Sequence, residues 1–312
     1  MKIFNNTNIS KKYRGSALAI GNFDGVHKGH QKVFQEAKKF ATKNKIKFGI
    51  LTFKKLPVMF FNKKLTNFRL TSENQKLSIL RRHGVNFIIN INFNKKFARI
   101  SANEFIKNTI YKKINPKLIF VSNNFRFGNK RKGNVNLLRK LSREYGYQLK
   151  KINPFKYKGK IISSTKIRNF LQKGLIHKAN KMLTRTWFID GKVEKGKRLG
   201  RKLGYRTCNI SIKNYIIPKV GIYAVKIIIG NKNKKYSGVA YLGSRPTFGG
   251  KKIFLETYIF GVKKNLYKKK LNIYFIKFIR NDRKFGNSTE LIKQMNKDVI
   301  FAKKGLKAKL KL

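Results

Sequence analysis

The chain of 312 residues contains a single cysteine, Cys208, which excludes an internal disulfide and fits a reducing compartment. It has no run of about 18 consecutive apolar residues, the length that spans a bilayer, and residues 1–14 carry no apolar core of the kind that marks a secretion signal. A soluble, cytoplasmic protein without a membrane partner is the expectation. Negative charge is scarce: Asp and Glu number 11 against 76 Lys and Arg, a formal +65. Such an excess suits polyanions, but the cations are spread along the whole chain instead of gathering on one arm or one helix face. Asn, Ile, Phe and Tyr are abundant too, which reads as drift toward AT-rich codons. Non-specific RNA binding at low salt is therefore expected, and a dedicated nucleic-acid partner is not. Because acids and histidines are few, each one inside a motif carries information.

Two of the four histidines fall in one decapeptide. Residues 21–30 read Gly-Asn-Phe-Asp-Gly-Val-His-Lys-Gly-His, between the apolar run 17–20 and a helical pattern with Val33, Phe34, Ala37, Phe40 and Ala41 on one face. A buried strand that turns through glycines into a helix aims backbone N–H groups and the helix dipole at one point, a setting for phosphate. Imidazoles there can donate hydrogen bonds to phosphate oxygens as charge develops. His27 and His30 are thus candidate catalytic residues, and Gly21, Phe23, Asp24 and Gly29 candidate phosphate-site residues. The alternative is a tight turn carrying two surface histidines.

The first half alternates strands with helices. Residues 47–53, 85–89 and 118–121 read as short buried strands. Ser72 with Gln75, and Ser101 with Glu104, read as capping boxes that open helices, and a further helix is expected over 135–145. This spacing predicts a mostly parallel sheet covered on both faces, with ligands beyond the carboxyl ends of its strands. Two later loops should lie at that edge. The first, 122–133, interleaves Phe125 and Phe127 with Asn124, Arg126 and glycines. It makes either a wall for a flat ligand with a phosphate clamp or an exposed basic loop packed on its own aromatics. The second, 162–168, sets Ser164 and Thr165 at a helix start with Arg168 a turn later, either a second anion site or a plain N-cap.

From Trp187 onward the pattern becomes short strands and turns. Candidate strands are 223–229, 236–242, 253–260 and 271–279, and a final helix from Ser288 aligns Leu291, Met295, Val299 and Ala302. The expectation is a separate small antiparallel barrel with one packing helix, giving domains 1–183 and 187–312. Residues 196–209 form a basic loop punctuated by Gly196, Gly200 and Gly204 and ending in Thr207 and Asn209. It either wraps phosphates, with those two side chains offering neutral oxygens to Mg²⁺, or is a flexible basic loop. Glu256 shares a strand face with Phe254, Tyr258 and Phe260, as a general base or as a rim acid paired with a lysine.

The segments at 21–30, Asn-Phe-Arg-Phe-Gly at 124–128 and Ile-Ser-Ser-Thr-Lys-Ile-Arg at 162–168 resemble the adenylyltransferase half of bacterial bifunctional riboflavin kinase/FAD synthetases. That half belongs to the nucleotidyltransferase group bearing His-x-Gly-His. Residues 200–210, 218–223, 243–247, 255–260 and 279–285 are similar to the riboflavin kinase domain of the same enzymes. The resemblance implies an α/β, Rossmann-like nucleotidyltransferase domain followed by a small antiparallel β-barrel with a terminal helix. It implies ATP-dependent phosphorylation of riboflavin to FMN by the second domain and adenylylation of FMN to FAD by the first, with pyrophosphate released and Mg²⁺ assisting. His27 and His30 would contact ATP phosphates, and Ser164, Thr165 and Arg168 would hold the triphosphate. Asn124, Phe125 and Arg126 would meet the flavin. In the second domain Gly196 and Gly200 would lie in the phosphate loop, Thr207 and Asn209 would hold Mg-ATP, and Glu256 would take the proton from the riboflavin 5′-hydroxyl. Arg280 would sit on a mobile loop near the flavin. The partners are then small molecules: ATP, riboflavin and FMN.

The chain departs from that family's pattern at three places. Arg206 precedes Thr207 where proline is usual, Ser122-Asn123-Asn124 replaces Gly-x-Asp, and Lys54-Lys55-Leu56-Pro57 replaces Glu-Pro-His-Pro. Two alternatives therefore stand beside the bifunctional reading: a riboflavin kinase with a decayed adenylyltransferase half, and an RNA-binding protein on a dead nucleotidyltransferase scaffold.

Overall fold

Apolar runs too short for helices become strands in both halves of the chain. The structure, a computed structural model, describes residues 1–157, 159–195, 203–230, 234–247 and 250–307. It divides into two units, Met1–Thr66 with Glu73–Ser163, and Asn67–Ser72 with Ser164–Leu312. No helix among the described residues is long and apolar enough to cross a membrane.

In chain order the first unit contains β1 (Lys2–Phe4), β2 (Ala17–Ile20), α1 (Lys28–Lys43), β3 (Phe48–Phe53), α2 (Pro57–Phe61), α3 (Glu73–Arg82) and β4 (Phe87–Ile91). After α4 (Lys95–Arg99), α5 (Ala102–Glu104) runs on as a π-helix over Phe105–Ile114. Then come β5 (Leu118–Ser122), the hairpin β6 (Arg126–Phe127) and β7 (Gly133–Asn134), α6 (Val135–Lys140), β8 (Gln148–Ile152) and the hairpin β9 (Lys156–Tyr157) and β10 (Lys160–Ile161). Six strands form one sheet in the order β1-β4-β3-β2-β5-β8, every pair parallel.

Alternate residues leave the sheet on opposite faces. Ala17, Ala19, Ile50, Ile88 and Phe120 meet Val33, Phe34 and Ala37 of α1 on one side. Leu18, Ile20, Leu51, Ile89 and Val121 meet Phe105, Ile106 and Ile110 of the π-helix on the other. Each such large side chain, fully buried, contributes roughly 1.5–3 kcal/mol. Gly49 must be glycine, because a Cβ there would land in the ring of the fully buried Phe87. The capping box of Ser101 and Glu104 forms with both halves present. The edge strands β1 and β8 carry no continuous apolar run, being largely exposed, and periodicity alone does not reveal them. α6 ends at Lys140, short of 145, because the hydroxyls of Ser142 and Tyr147 donate to the carbonyls of Arg139 and Leu138 at 2.7 and 2.6 Å and compete with the helical N–H partners. The strand order reverses direction at β2 and β5, so the turn after β2 and the loop after β5 meet at the switch point where open α/β sheets bind ligands.

The second unit contains α7 (Ser164–Gln172), α8 (Ile176–Leu183), β11 (Phe188–Glu194), β12 (Thr207–Ser211), β13 (Gly221–Ile229), β14 (Lys235–Thr247), β15 (Gly250–Ile259), β16 (Lys270–Arg280) and a C-terminal helix, Ser288–Lys307. The strands close a barrel in the order β11-β12-β15-β14-β13-β16, all pairs antiparallel. Ile189, Ile210, Leu242, Leu255 and Ile273 are buried in it. The C-terminal helix packs on β13, β14 and β16, and α8 packs on β16. Asn180 on α8 accepts from the Trp187 N–H at 2.7 Å and donates to the Phe275 carbonyl at 3.0 Å. Asn67–Ser72 lies along this unit as an extra strap. Phe68 and Arg69 donate to the Asn214 carbonyl, Ile216 donates to the Arg69 carbonyl at 2.8 Å, and the Trp187 indole donates to the Leu70 carbonyl at 2.7 Å.

Candidate active sites

The first site is the turn that leaves β2. Gly21 N–H donates to the Leu51 carbonyl at 3.1 Å, and the chain then passes through positive φ at Phe23 (48°), Gly25 (80°) and Val26 (41°). A β-branched residue in that region is a true outlier, the sort of strain that concentrates at functional turns. His27 caps α1, and its ring stacks on that of His30 with centroids 3.7 Å apart and planes at 19°. Phe23 holds His30 edge-on at 5.2 Å and rests on Phe34 at 4.9 Å. A Cβ at Gly29 would approach the His27 ring to 3.2 Å, so the glycine leaves the space this imidazole fills. Phe23, Asp24 and His27 are 3, 4 and 5% exposed. The two histidines form a buried-edge pair at a helix start, not two surface side chains, and this arrangement can donate to phosphate oxygens.

The loop after β5 divides its aromatics. Phe127 is buried against Phe105 with centroids 5.4 Å apart, and Phe125 stacks on Phe127 at 5.5 Å and 18°. Asn124 and Arg126 are exposed. Those rings are one end of a ridge that sequence reasoning missed. Phe105 meets Phe97 at 6.1 Å, Phe97 meets Phe93 at 5.7 Å, and Phe93 meets Phe61 at 5.7 Å. Phe61 ends the ridge 68% exposed, on α2 just past the carboxyl end of β3. The available signal was Phe60-Phe61 following the run Lys54-Lys55-Leu56-Pro57, with Phe93 and Phe97 one helical turn apart.

Ser164, Thr165 and Arg168 lie on α7 in the second unit. The Arg168 guanidinium, 7% exposed by residue, stacks 3.7 Å over the Phe68 ring, and its Nε donates to the Phe68 carbonyl at 2.8 Å.

The second site is the outer face of the barrel at β12, β15 and β14. Leu255, Thr257 and Ile259 are buried and turn inward, so Glu256 between them turns out. Glu256 lies directly across from Asn209 on one side and from Tyr241 on the other. Thr207 Oγ1 donates to Glu256 Oε1 at 2.5 Å. Phe254 packs edge-on against Tyr241 at 5.5 Å, and Tyr258 against Tyr205 at 5.0 Å and Phe260 at 5.6 Å. Thr207 and Asn209, read above as the end of a loop, stand on strand β12, which fixes their spacing to Glu256. Burial, then the charge of Glu256, push the Cys208 thiol up to about 11, so it is no nucleophile near neutrality. Gly196 and Gly200 fall outside the described residues.

Arg280 is the last residue of β16. Its Nε and Nη2 donate to Asp298 on the C-terminal helix at 2.9 and 2.7 Å, and its Nη1 to the Asn281 carbonyl at 3.0 Å. In the segment that follows, Asp282 accepts from the Tyr241 hydroxyl at 2.6 Å. Tyr241 and Asp282 are a second pair that motif reading missed.

The FAD synthetase family profile matches residues 9–166 and the riboflavin kinase profile residues 183–306. The chain is 40% identical over 300 residues to the bifunctional riboflavin kinase/FMN adenylyltransferase of Buchnera aphidicola subsp. Schizaphis graminum, covering 95% of this chain and 96% of that protein. It is 33% identical over 289 residues to the protein of the same description from Escherichia coli K12, covering 93% and 92%. A solved structure described as a macrolide-efflux protein from Streptococcus pneumoniae superposes with a TM-score of 0.84 at 26% identity, covering 96% of this chain and 98% of that one.

Proposed function

Because the chain belongs to the family of bifunctional riboflavin kinases/FMN adenylyltransferases, with ATP, riboflavin, FMN and FAD as substrates and products, we propose that its two activities run at the two sites described above. We place the functional division at 1–183 and 187–312; the two matched profiles cover 9–166 and 183–306, while residues 164–183 belong to the same compact unit as the barrel. The location is the cytoplasm, to which a lone unreactive thiol is suited.

At the barrel site riboflavin is phosphorylated. The 5′-hydroxyl attacks the γ-phosphorus of ATP, the bond to the β-phosphate oxygen breaks, ADP leaves, and Glu256 takes the hydroxyl proton. One observation carries this assignment: the row Asn209, Glu256, Tyr241 on one face, with Thr207 donating to Glu256 at 2.5 Å. Since the Thr207 proton is committed to the carboxylate, its lone pairs are left for a cation. Thr207 and Asn209 are neutral hard oxygen donors that fit Mg²⁺ already carried by nucleotide phosphates. Among the described residues no three His, Cys, Asp or Glu gather to hold a metal alone. Mg²⁺, when bound, neutralises charge on the transferring phosphate. Arg280, steadied by Asp298, faces the flavin side.

At the sheet site an FMN phosphate oxygen attacks the α-phosphorus of ATP and pyrophosphate leaves, with no enzyme nucleophile. The turn of Gly21, Phe23, Asp24 and Gly29 cradles the phosphates, and His27 and His30 donate to them as charge builds. The isoalloxazine ring rests on the aromatic ridge, with Asn124, Phe125 and Arg126 at one end and Phe61 at the other. The exposure of Phe61 beside a ring network supports this placement.

Purified protein incubated with riboflavin, ATP and Mg²⁺, with flavins separated by chromatography, is expected to form FMN and then FAD. Formation of FMN alone would favour a decayed first site; absence of both products would overturn the proposal.

A further inference from the structure

Lys76 on α3 is only 4% exposed, and among the described residues Arg168 is the other buried cation. A buried ammonium is costly unless its protons are placed. Here Nζ donates to Thr52 Oγ1 at 3.2 Å and to the Phe53 carbonyl at 2.9 Å. Thr52, fully buried at the carboxyl end of β3, passes the contact on, because its hydroxyl donates to the Asn22 carbonyl at 3.1 Å. Asn90 lies directly across from Thr52 on β4 and donates to Glu73 Oε1 at 2.7 Å. Glu73 stands one helical turn before Lys76 on α3. The Lys76–Thr52 contact touches two functional segments at once: the turn of residues 21–27, through Asn22, and the chain leaving β3 toward α2, through Phe53.

We propose that Lys76 is a positioning residue for FMN adenylylation, acting through Thr52 to fix the Asn22 carbonyl. The inference rests on the placement of adenylyl transfer at the sheet site. Phe23 and Val26 hold positive φ just after Asn22, so the turn needs an anchor at its start if its N–H groups and the His27–His30 pair are to keep one geometry. Misplacement of about 1 Å in such a site costs on the order of 100-fold in rate.

The test uses the whole bifunctional protein, whose riboflavin phosphorylation is an internal control for folding and concentration. Thr52→Val keeps the shape and removes only the relay hydroxyl; Thr52→Ser keeps the hydroxyl and removes a buried methyl. Positioning predicts that Thr52→Val lowers kcat for FMN adenylylation at least tenfold, with KM for ATP changed less than threefold, and that Thr52→Ser restores most of it. A packing role predicts the opposite ranking, because serine leaves the larger void. Lys76→Met should lower adenylylation by on the order of 100-fold while FMN formation from riboflavin stays within twofold. If Lys76→Met lowers the melting temperature too far to assay, the two Thr52 variants decide. The proposal is overturned if Thr52→Val adenylylates FMN with an unchanged kcat, or if valine and serine fall equally. Loss of both reactions in every variant would also overturn it, as general unfolding. A failure of the site assignment itself looks different: His30→Ala would then leave adenylylation unaffected, whatever the Thr52 variants do.

Discussion

Glu256→Gln separates proton transfer from structure at the barrel site. Glu256 Oε1 accepts from Thr207 Oγ1 at 2.5 Å and faces Asn209 across the β12–β15 ladder. Glutamine keeps the length of the side chain and an oxygen that accepts the same hydrogen bond, so strand pairing and the Thr207 rotamer survive. On the proposed mechanism the variant loses only the capacity to take the riboflavin hydroxyl proton. A positioned general base is worth about 10²–10⁴ in rate, or about 2.7–5.4 kcal/mol of barrier at 1.36 kcal/mol per tenfold. The expected result is a fall in kcat for FMN formation within that range, with KM for riboflavin and ATP nearly unchanged. FMN supplied directly should be adenylylated at the normal rate. Flavin chromatography against time, with ADP release measured in parallel, gives both numbers. A variant that phosphorylates riboflavin at full kcat, or loses only affinity, would refute the general-base argument.

Three further outcomes follow from other parts of the structure. Phe61→Ser removes a ring that is 68% exposed, so stability should hardly change, while KM for FMN in adenylylation should rise about tenfold if flavin stacking there has the 1–3 kcal/mol typical of a base on an aromatic; riboflavin phosphorylation should not respond. Trp187→Phe deletes the indole donor to the Leu70 carbonyl at 2.7 Å, and with both residues almost fully buried the lost hydrogen bond should cost about 0.5–1.5 kcal/mol in urea unfolding followed by circular dichroism; an unchanged stability would mean that this bond contributes nothing. Cys208, with its thiol pushed up to about 11, should be alkylated by iodoacetamide at pH 8 on the order of a hundredfold more slowly than an ordinary thiol, because that reaction needs the thiolate, and protection should weaken as pH rises toward that value.

How much of this was legible without coordinates depended on the scale of the signal. The strands with unbroken apolar runs, such as Ala17–Ile20 and Leu118–Ser122, lie close to where periodicity puts them, since burial on both faces leaves no alternation to misread. The polar edge strands β1 and β8 carry no such run. Glu256 and its facing partners were legible as residues but not as a geometry. Thr207 and Asn209 look like the end of a glycine loop, and only strand pairing puts Asn209 opposite Glu256. The aromatic ridge from Phe125 to Phe61 joins rings from four separate stretches of chain, a neighbourhood that sheet order creates and local sequence does not display. Lys76 was hidden for the opposite reason, being one lysine among very many. What sets it apart is burial alone.

The few acids of this chain differ in what each one holds. Removing a surface carboxylate from a protein of this sign costs little, since an exposed ion pair is worth about 0–1 kcal/mol, whereas removing one that satisfies buried donors costs about 3–5 kcal/mol. A drift that trades acids for Lys and Asn should therefore spare the second kind. Asp298, its side chain 5% exposed, takes Arg280 and Gln294; Asp190 takes Ser72 and Tyr215 and pairs with Lys270. Burial and the Asp190 charge raise the Tyr215 phenol well above its usual range, which keeps it a donor. Glu73 holds Asn90 and Glu256 takes the Thr207 hydroxyl, both part-buried, whereas Glu104, which closes a capping box, is exposed. The sorting is partial, since Glu144, Glu194 and Glu290 are exposed. Asp24 is 4% exposed inside the strained turn, and on the proposed role of that turn Asp24→Asn should impair adenylylation without touching riboflavin phosphorylation.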